Sequence, residues 1–288
     1  MEFGYKIIND TYFVINKGVT EIPKWAFDED PEIIVIPDSV TSIGKQAFEG
    51  CYNLKSVIIP DSVTSIGEKA FRHCESLESI IIPDSVTSIG EGAFYGCESL
   101  ETVVLSENMT NISQNLFSNC LSLKRVLFGS RIIDIESNAF KNCKSLESIN
   151  IPAIRIGENA FWGCSSLKNV IIPDSVAWIE CYAFSFCYNL KSVIIPDSVT
   201  SISEGAFFLC KSLESITIPD GVISIGENAF SDCSSLESIT IPDSVTLIGE
   251  RAFEGCYNLK SVIIPDSVTS IGEEAFKDTI FEKKKGLI

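Results

Sequence analysis

The chain has 288 residues, 45% of them hydrophobic, a formal net charge of −17 and a sequence pI near 4.5. The hydrophobic share is ample for a continuous core, while the charge argues against nucleic acid, whose binding needs cations that displace counterions from phosphate, and against an anionic membrane surface. No apolar run approaches the roughly 18 residues of a membrane span, and Met1–Tyr5 is not a basic segment leading into an apolar one, so no signal peptide is visible and a cytoplasmic location stays open.

The first predicted element is a hairpin over residues 5–15, turning at Asn9-Asp10, so that residues 1–18 cap the first coil. From residue 19 to 279 self-similarity dominates. Twelve phenylalanines, from Phe27, Phe48 and Phe71 to Phe276, recur at intervals of 23, with two intervals of 21 ending at Phe48 and Phe161. The second short interval is legible, because Ile151-Pro152-Ala153-Ile154-Arg155-Ile156-Gly157 lacks two residues of the usual IPDSVTSIG. A period in this range marks stacked coils rather than globular domains.

The coil around Cys74–Cys97 shows the unit. In Leu77-x-x-Ile80-x-Ile82, Ile80 and Ile82 sit on one face of an extended strand, which turns Ser79 and Ile81 the other way, since strand side chains alternate faces. Pro83 ends the strand because it has no N–H for a ladder. Asp84-Ser85 supplies turn chemistry. Gly90–Cys97 reads as one short helical turn, with Ala93, Phe94 and Cys97 roughly on one side. After Phe276 the pattern fades: Thr279 stands where Cys is expected and Lys283-Lys284-Lys285 is polar, leaving 280–288 as a tail.

The order L-x-x-I-x-I-P, then V-x-x-I-G-x-x-A-F-x-x-C, resembles the BspA-like leucine-rich repeat found in many microbial surface proteins, and the resemblance covers about residues 19–279. It implies one solenoid domain of about twelve repeats: a right-handed curved superhelix, with a parallel β-sheet on the concave face and short strands, turns or helical turns on the convex side. It also implies adhesion or host-protein binding, as in some members, no known catalytic residues, and a cell-surface or secreted location. Ser106 and Gly129 replace the usual Pro, where local irregularity is expected.

Ten of the eleven cysteines form one column, Cys51 to Cys256, and Cys181 is the extra one. Equivalent residues in stacked coils have no reason to pair in twos, so a buried thiol ladder is expected. No metal-ligand cluster is present, since no C-x-x-C stands beside further Cys or His. His73, the one histidine, falls in a variable, turn-like column otherwise held mostly by Gly and Asn, with Phe186, Leu209 and Asp232, and reads as an exposed bystander. The carboxylates after the Pro, among them Asp38, Asp61, Asp84, Glu107, Asp174 and Asp197, read as turn bonds within each coil, with Ca2+ as the competing reading. The column from Lys55 to Lys260 alternates sign at six of nine steps and reads as a solvated, cross-paired face.

Two apolar features are candidate partner sites. The first is the outward strand column, Ile58, Ile81, Val104, Leu127, Ile171, Ile194 and Ile263. An exposed apolar stripe marks an interaction surface, and lateral packing of β-branched neighbours is the competing explanation. The second is a patch of Trp162, Phe186, Phe208 and Leu209, with Trp178 nearby, where consecutive coils depart from consensus together; drift in a tolerant column competes. The functional expectation is a non-catalytic protein-binding or adhesion module without cofactor or metal. Its partner is a protein, host extracellular proteins included, or a second copy if the chain is a self-associating scaffold. Three glycosylation sequons, at Asn9, Asn108 and Asn111, occur, as such tripeptides do by chance.

Overall fold

The computed structural model describes residues 4–9, 11–27 and 29–285. The chain divides into two compact units, Met1–Ser145 and Leu146–Ile288. Each is a parallel-strand solenoid, because each coil's apolar residues can be buried only against its own copies above and below.

In the first unit the strands Ile33–Val35, Ser56–Ile58, Ser79–Ile81, Thr102–Val104 and Arg125–Leu127 repeat once per coil. Their register is column on column, with Val35 opposite Ile58, and Ile81 opposite Val104, itself opposite Leu127. The second unit repeats the arrangement from Ser148–Asn150 to Ser261–Ile263. A second row of two-residue strands, such as Ser65–Ile66 and Ser88–Ile89, pairs in the same parallel sense. Its inner Ile side chains, Ile66 and Ile89 among them, are buried, as are Val63 and Val86 before them; in the last coil Ile271 is half exposed.

The third side of each coil corrects one expectation. Gly90–Cys97 is not a helical turn. Phe94 N–H donates to Leu116 O of the next coil at 3.0 Å, and Gly92 and Gly96 N–H donate forward to Gln114 O and Ser118 O. The N–H groups between them close four-residue turns, Ala93 to Gly90 O and Tyr95 to Gly92 O. Forward and local bonds can alternate because Gly92 (φ 58°) and Gly96 (φ 71°) adopt the left-handed conformation, which glycine enters without a Cβ penalty. A helix would direct every N–H back within the coil and leave this side unpaired.

The consensus Gly after the second-row Ile has a different cause. A Cβ on Gly90 would lie 2.3 Å from Glu68 N, in the coil below, so the coils meet there backbone to backbone. Where Ser113 and Ser203 occupy this column, their hydroxyls donate to Ile89 O and Ile179 O of the preceding coil.

The phenylalanines form a stacked core. In the first unit centroid separations are 4.8 Å for Phe48–Phe71, 5.1 Å for Phe71–Phe94 and 5.6 Å for Phe94–Phe117. The second unit continues in kind, 5.2 Å for Phe161–Phe184 and 5.3 Å for Phe253–Phe276. Burying one such side chain is worth about 1.5–3 kcal/mol.

Each end carries an element outside the repeat. β1 (Tyr5–Asn9) and β2 (Tyr12–Ile15) pair antiparallel as predicted, and β2 adds in parallel to Ile33–Val35; Asp10, half of the expected turn, lies outside the described residues. The tail is more ordered than its sequence suggested. It forms α1 (Ile280–Lys285), whose first turn is capped by Thr279 Oγ1 accepting from Glu282 N–H at 3.0 Å. Phe281 of α1 packs edge-on to Phe276 at 5.4 Å.

Candidate functional site

The pleat expected from the strand residues is present. Ile80 and Ile82 are buried, and between them Ile81 is 68% exposed. Ile58 (77%), Ile171 (63%), Ile194 (76%) and Ile263 (61%) are as open, and Leu127 is half-exposed. Val104 is partly covered. In the first unit the column is apolar in five consecutive coils, Val35, Ile58, Ile81, Val104 and Leu127, whereas in the second Asn150, Thr217 and Thr240 interrupt it.

A groove of about 650 Å3 runs across three coils of the first unit. Ile58, Ile81 and Val104 line it together with Asp61, Asp84 and Glu107, and no Lys or Arg contributes to its lining. The apolar column and the post-Pro carboxylates, two separate columns in the sequence, thus share one surface. The link is simple geometry: the carboxylate comes three positions after the outward strand residue, and Pro83 turns the chain between them. The carboxylates' own bonds also differ from expectation. Asp84 Oδ1 accepts from Glu107 N–H at 2.9 Å and Glu107 Oε2 from Ser130 N–H at 2.9 Å. These bonds tie each coil to the next rather than closing a turn within one coil.

The sign-alternating column behaves as a solvated face. Lys55–Glu32 (3.1 Å), Lys124–Glu101 (2.7 Å) and Lys168–Glu147 (3.0 Å) pair across adjacent strands. Exposed pairs of this kind are worth at most about 1 kcal/mol each.

The cysteine column is a ladder of free, buried thiols, and only Cys181 is partly exposed. The thiols donate to the carbonyls of an earlier phenylalanine, as Cys74 does to Phe48 O at 3.2 Å and Cys97 to Phe71 O at 3.1 Å. A donor thiol must keep its proton, and burial favours the same state: Cys51 and Cys256 are pushed up to about 12, chiefly by desolvation, and Cys74, Cys97, Cys120, Cys187, Cys210 and Cys233 are raised further. Nucleophilic chemistry needs the thiolate, so this ladder is structural. His73 is half-buried rather than exposed, edge-on to Tyr95 at 5.5 Å, with a left-handed backbone (φ 58°). Among the described residues no group of three or more His, Cys, Asp or Glu could hold a metal ion.

The second candidate patch is assembled in the second unit. Trp162 and Phe186 lie 4.7 Å apart, Phe186 and Phe208 5.4 Å apart, and Tyr188 joins edge-on to Phe186 at 6.0 Å. Phe186 (φ 62°) and Leu209 (φ 60°) hold left-handed backbone in a column where other coils carry Gly, Asn, Asp or His73, a conformation that costs side chains with a Cβ about 1–2 kcal/mol. The rings half-bury one another, which offsets that cost locally. Trp178 is apart from the cluster. It lies in the second row of strands, at Trp178–Ile179, and is 58% exposed. Two sequon side chains are already engaged, Asn108 Nδ2 with Asp84 O at 2.8 Å and Asn111 Nδ2 with Glu136 Oε1 at 2.7 Å.

The BspA type leucine rich repeat region matches this chain in six copies, over residues 3–83, 20–147 and 154–282. Among solved structures, a leucine rich cell surface protein from Faecalibacterium prausnitzii is 33% identical, with a TM-score of 0.60 over 97% of this chain and 91% of that one. A leucine-rich repeat protein from Bacteroides ovatus is 27% identical, with a TM-score of 0.69 over 98% and 92%. The pneumococcal vaccine antigen PcpA, 18% identical with a TM-score of 0.57 over 96% and 85%, shares the fold. No curated protein matches the chain. Among the described residues no helix is long and apolar enough to cross a membrane.

Proposed function

Because the chain belongs to the BspA-type leucine-rich-repeat family, we propose that it is a non-catalytic adhesion module that holds a protein partner against the outward column of its strands. Repeat proteins of this family serve as interaction scaffolds. One observation carries the finer reading: Ile58, Ile81, Ile171 and Ile194 are 63–77% exposed, at a strand position that Thr217 and Thr240 also occupy. Apolar side chains left in water over several coils are what a protein-binding surface requires. Similarity to a cell surface protein at 33% identity supports a cell-surface or secreted location. An enzyme needs a pocket of unlike, convergent groups, and the described surface offers periodic columns instead.

The test replaces Ile58, Ile81, Ile171 and Ile194 together by Thr. If the column serves a partner, unfolding free energy moves by less than about 1 kcal/mol per site, while adhesion to host extracellular proteins falls at least about tenfold. A variant that adheres as well as the parent removes this face from the account and leaves the Trp162–Phe186–Phe208 cluster as the surface to test. The same column suits a second copy of the chain, through a self-complementary contact. Light scattering over a range of concentrations separates the two: a parent that is monomeric throughout excludes self-association as the function of the face.

A further inference from the structure

The groove of the first unit is chemically one-sided, and that limits what can occupy it. Ile58, Ile81 and Val104 form an apolar floor, and Asp61, Asp84 and Glu107 form a wall beside it, one carboxylate per coil. All three carboxylates are exposed. Among the described residues none of them forms an ion pair, unlike Glu32 and Glu101 on the opposite flank, which are held by Lys55 and Lys124. Two of them accept backbone N–H bonds through one oxygen each, which leaves their second oxygens open. A row of carboxylates with no counterion, next to apolar side chains that water solvates poorly, is complementary to a cationic and partly apolar ligand.

We infer that this groove binds an extended polypeptide segment in which Lys or Arg alternates with aliphatic side chains, the cations on Asp61, Asp84 and Glu107 and the aliphatic groups on Ile58, Ile81 and Val104. This rests on the strand face being the partner surface and adds to it the partner's chemistry. An extended segment suits the geometry because its side chains alternate in direction and leave its backbone flat against the face. The second unit carries the same carboxylate column, at Asp174, Asp197 and Asp220, but there Thr217 stands where the first groove has Val104. It therefore offers the charge with a shorter apolar run and serves as an internal control.

The probe is a fluorescently labelled 12-residue peptide of alternating Lys and Val, compared by anisotropy with Glu/Val and Lys/Gly peptides of equal length. The full chain is to bind Lys/Val more tightly than Lys/Gly and not to bind Glu/Val. The triple variant Asp61→Asn, Asp84→Asn, Glu107→Gln keeps every acceptor oxygen that its backbone N–H partners use, so its melting curve should match the parent's. Its affinity for Lys/Val should fall about tenfold, three semi-exposed charge contacts being lost, whereas Asp174→Asn, Asp197→Asn, Asp220→Asn changes it less than about twofold. Equal losses in the two triple variants would mean general attraction to an acidic protein and overturn the assignment, as would no Lys/Val binding or an unaffected first triple variant. If the Ile→Thr variant loses adhesion while the first triple variant keeps it, the strand-face reading stands and the basic-segment assignment fails.

Discussion

Raising the pH through the range in which free thiols ionise should unfold this protein over a narrow interval. In the unfolded chain a cysteine loses its proton near pH ~8.5. In the folded chain Cys51 and Cys256 lose theirs only at about 12, and Cys74, Cys97, Cys120, Cys187, Cys210 and Cys233 are held higher by burial. The sign comes from the protons bound. Below the unfolded pKa both states are protonated and the ladder's contribution is fully present. Above it the unfolded state binds fewer protons, so stability falls until the folded thiols ionise in turn. Each thiol contributes about 1.4 kcal/mol per pH unit, and eight together give on the order of 10 kcal/mol per pH unit. Since domains are stable by about 5–15 kcal/mol, denaturation should be complete within about two pH units of the unfolded thiol pKa. Denaturant titrations by circular dichroism from about pH 7.5 to 10.5 read this directly. Tyrosines and lysines titrate nearby, so the double variant Cys97→Ala, Cys210→Ala isolates the thiols: its stability should decline with pH less steeply than the parent's. Native protein should also react with thiol reagents only at Cys181. Unchanged stability up to about pH 10.5 would contradict the protonated-ladder account.

Phe94→Ala should destabilise the first unit by about 3–5 kcal/mol, the range for removing a fully buried aromatic ring. Phe94 is fully buried between Phe71 at 5.1 Å and Phe117 at 5.6 Å. Its backbone cannot follow the missing ring inward, because Phe94 N–H and Ala93 O are tied to Leu116 and Phe71 in the flanking coils. A cavity therefore remains. Stacked coils are coupled mainly to their nearest neighbours, so hydrogen exchange should speed up first in the coils on either side of the substitution. Ile81→Thr, on the outer face of the same region, should cost less than about 1 kcal/mol. Comparable losses for the two variants would mean that the Phe column is not the core that holds the coils together.

Much of the fold was legible because each structural requirement recurs at a fixed place. The strand is marked by Ile80 and Ile82 followed by Pro83, the backbone-to-backbone contact by Gly90, the core by Phe94, the thiol ladder by Cys97. The third side misled because Ala93, Phe94 and Cys97 at i, i+1 and i+4 share one side of a helix, and they equally share one side of an alternating left- and right-handed turn. Only the forward bonds to the next coil distinguish the two, and those depend on stacking. α1 was missed because it lies outside the repeat and its anchor, Phe281, has no copy in other coils. The aromatic cluster could be read because Trp162, Phe186 and Phe208 break consensus in consecutive coils, whereas Trp178 is near them only in sequence. The acidic wall of the groove reads in the sequence as turn chemistry. Its place beside Ile58, Ile81 and Val104 depends on how the chain turns at Pro60 and Pro83, which column-by-column reading does not capture.

The claim that a protein partner lies on the strand face is most directly tested by photocrosslinking. A photoreactive phenylalanine analogue is placed singly at Ile81 on the outward column, at Trp178 in the second row of strands, and at Phe208 in the aromatic cluster, and each protein is irradiated on a surface coated with host extracellular proteins. The account predicts covalent adducts to a second polypeptide from position 81, competed by unlabelled parent, and only background from 178 and 208. Adducts from 178 or 208 with none from 81 would contradict it.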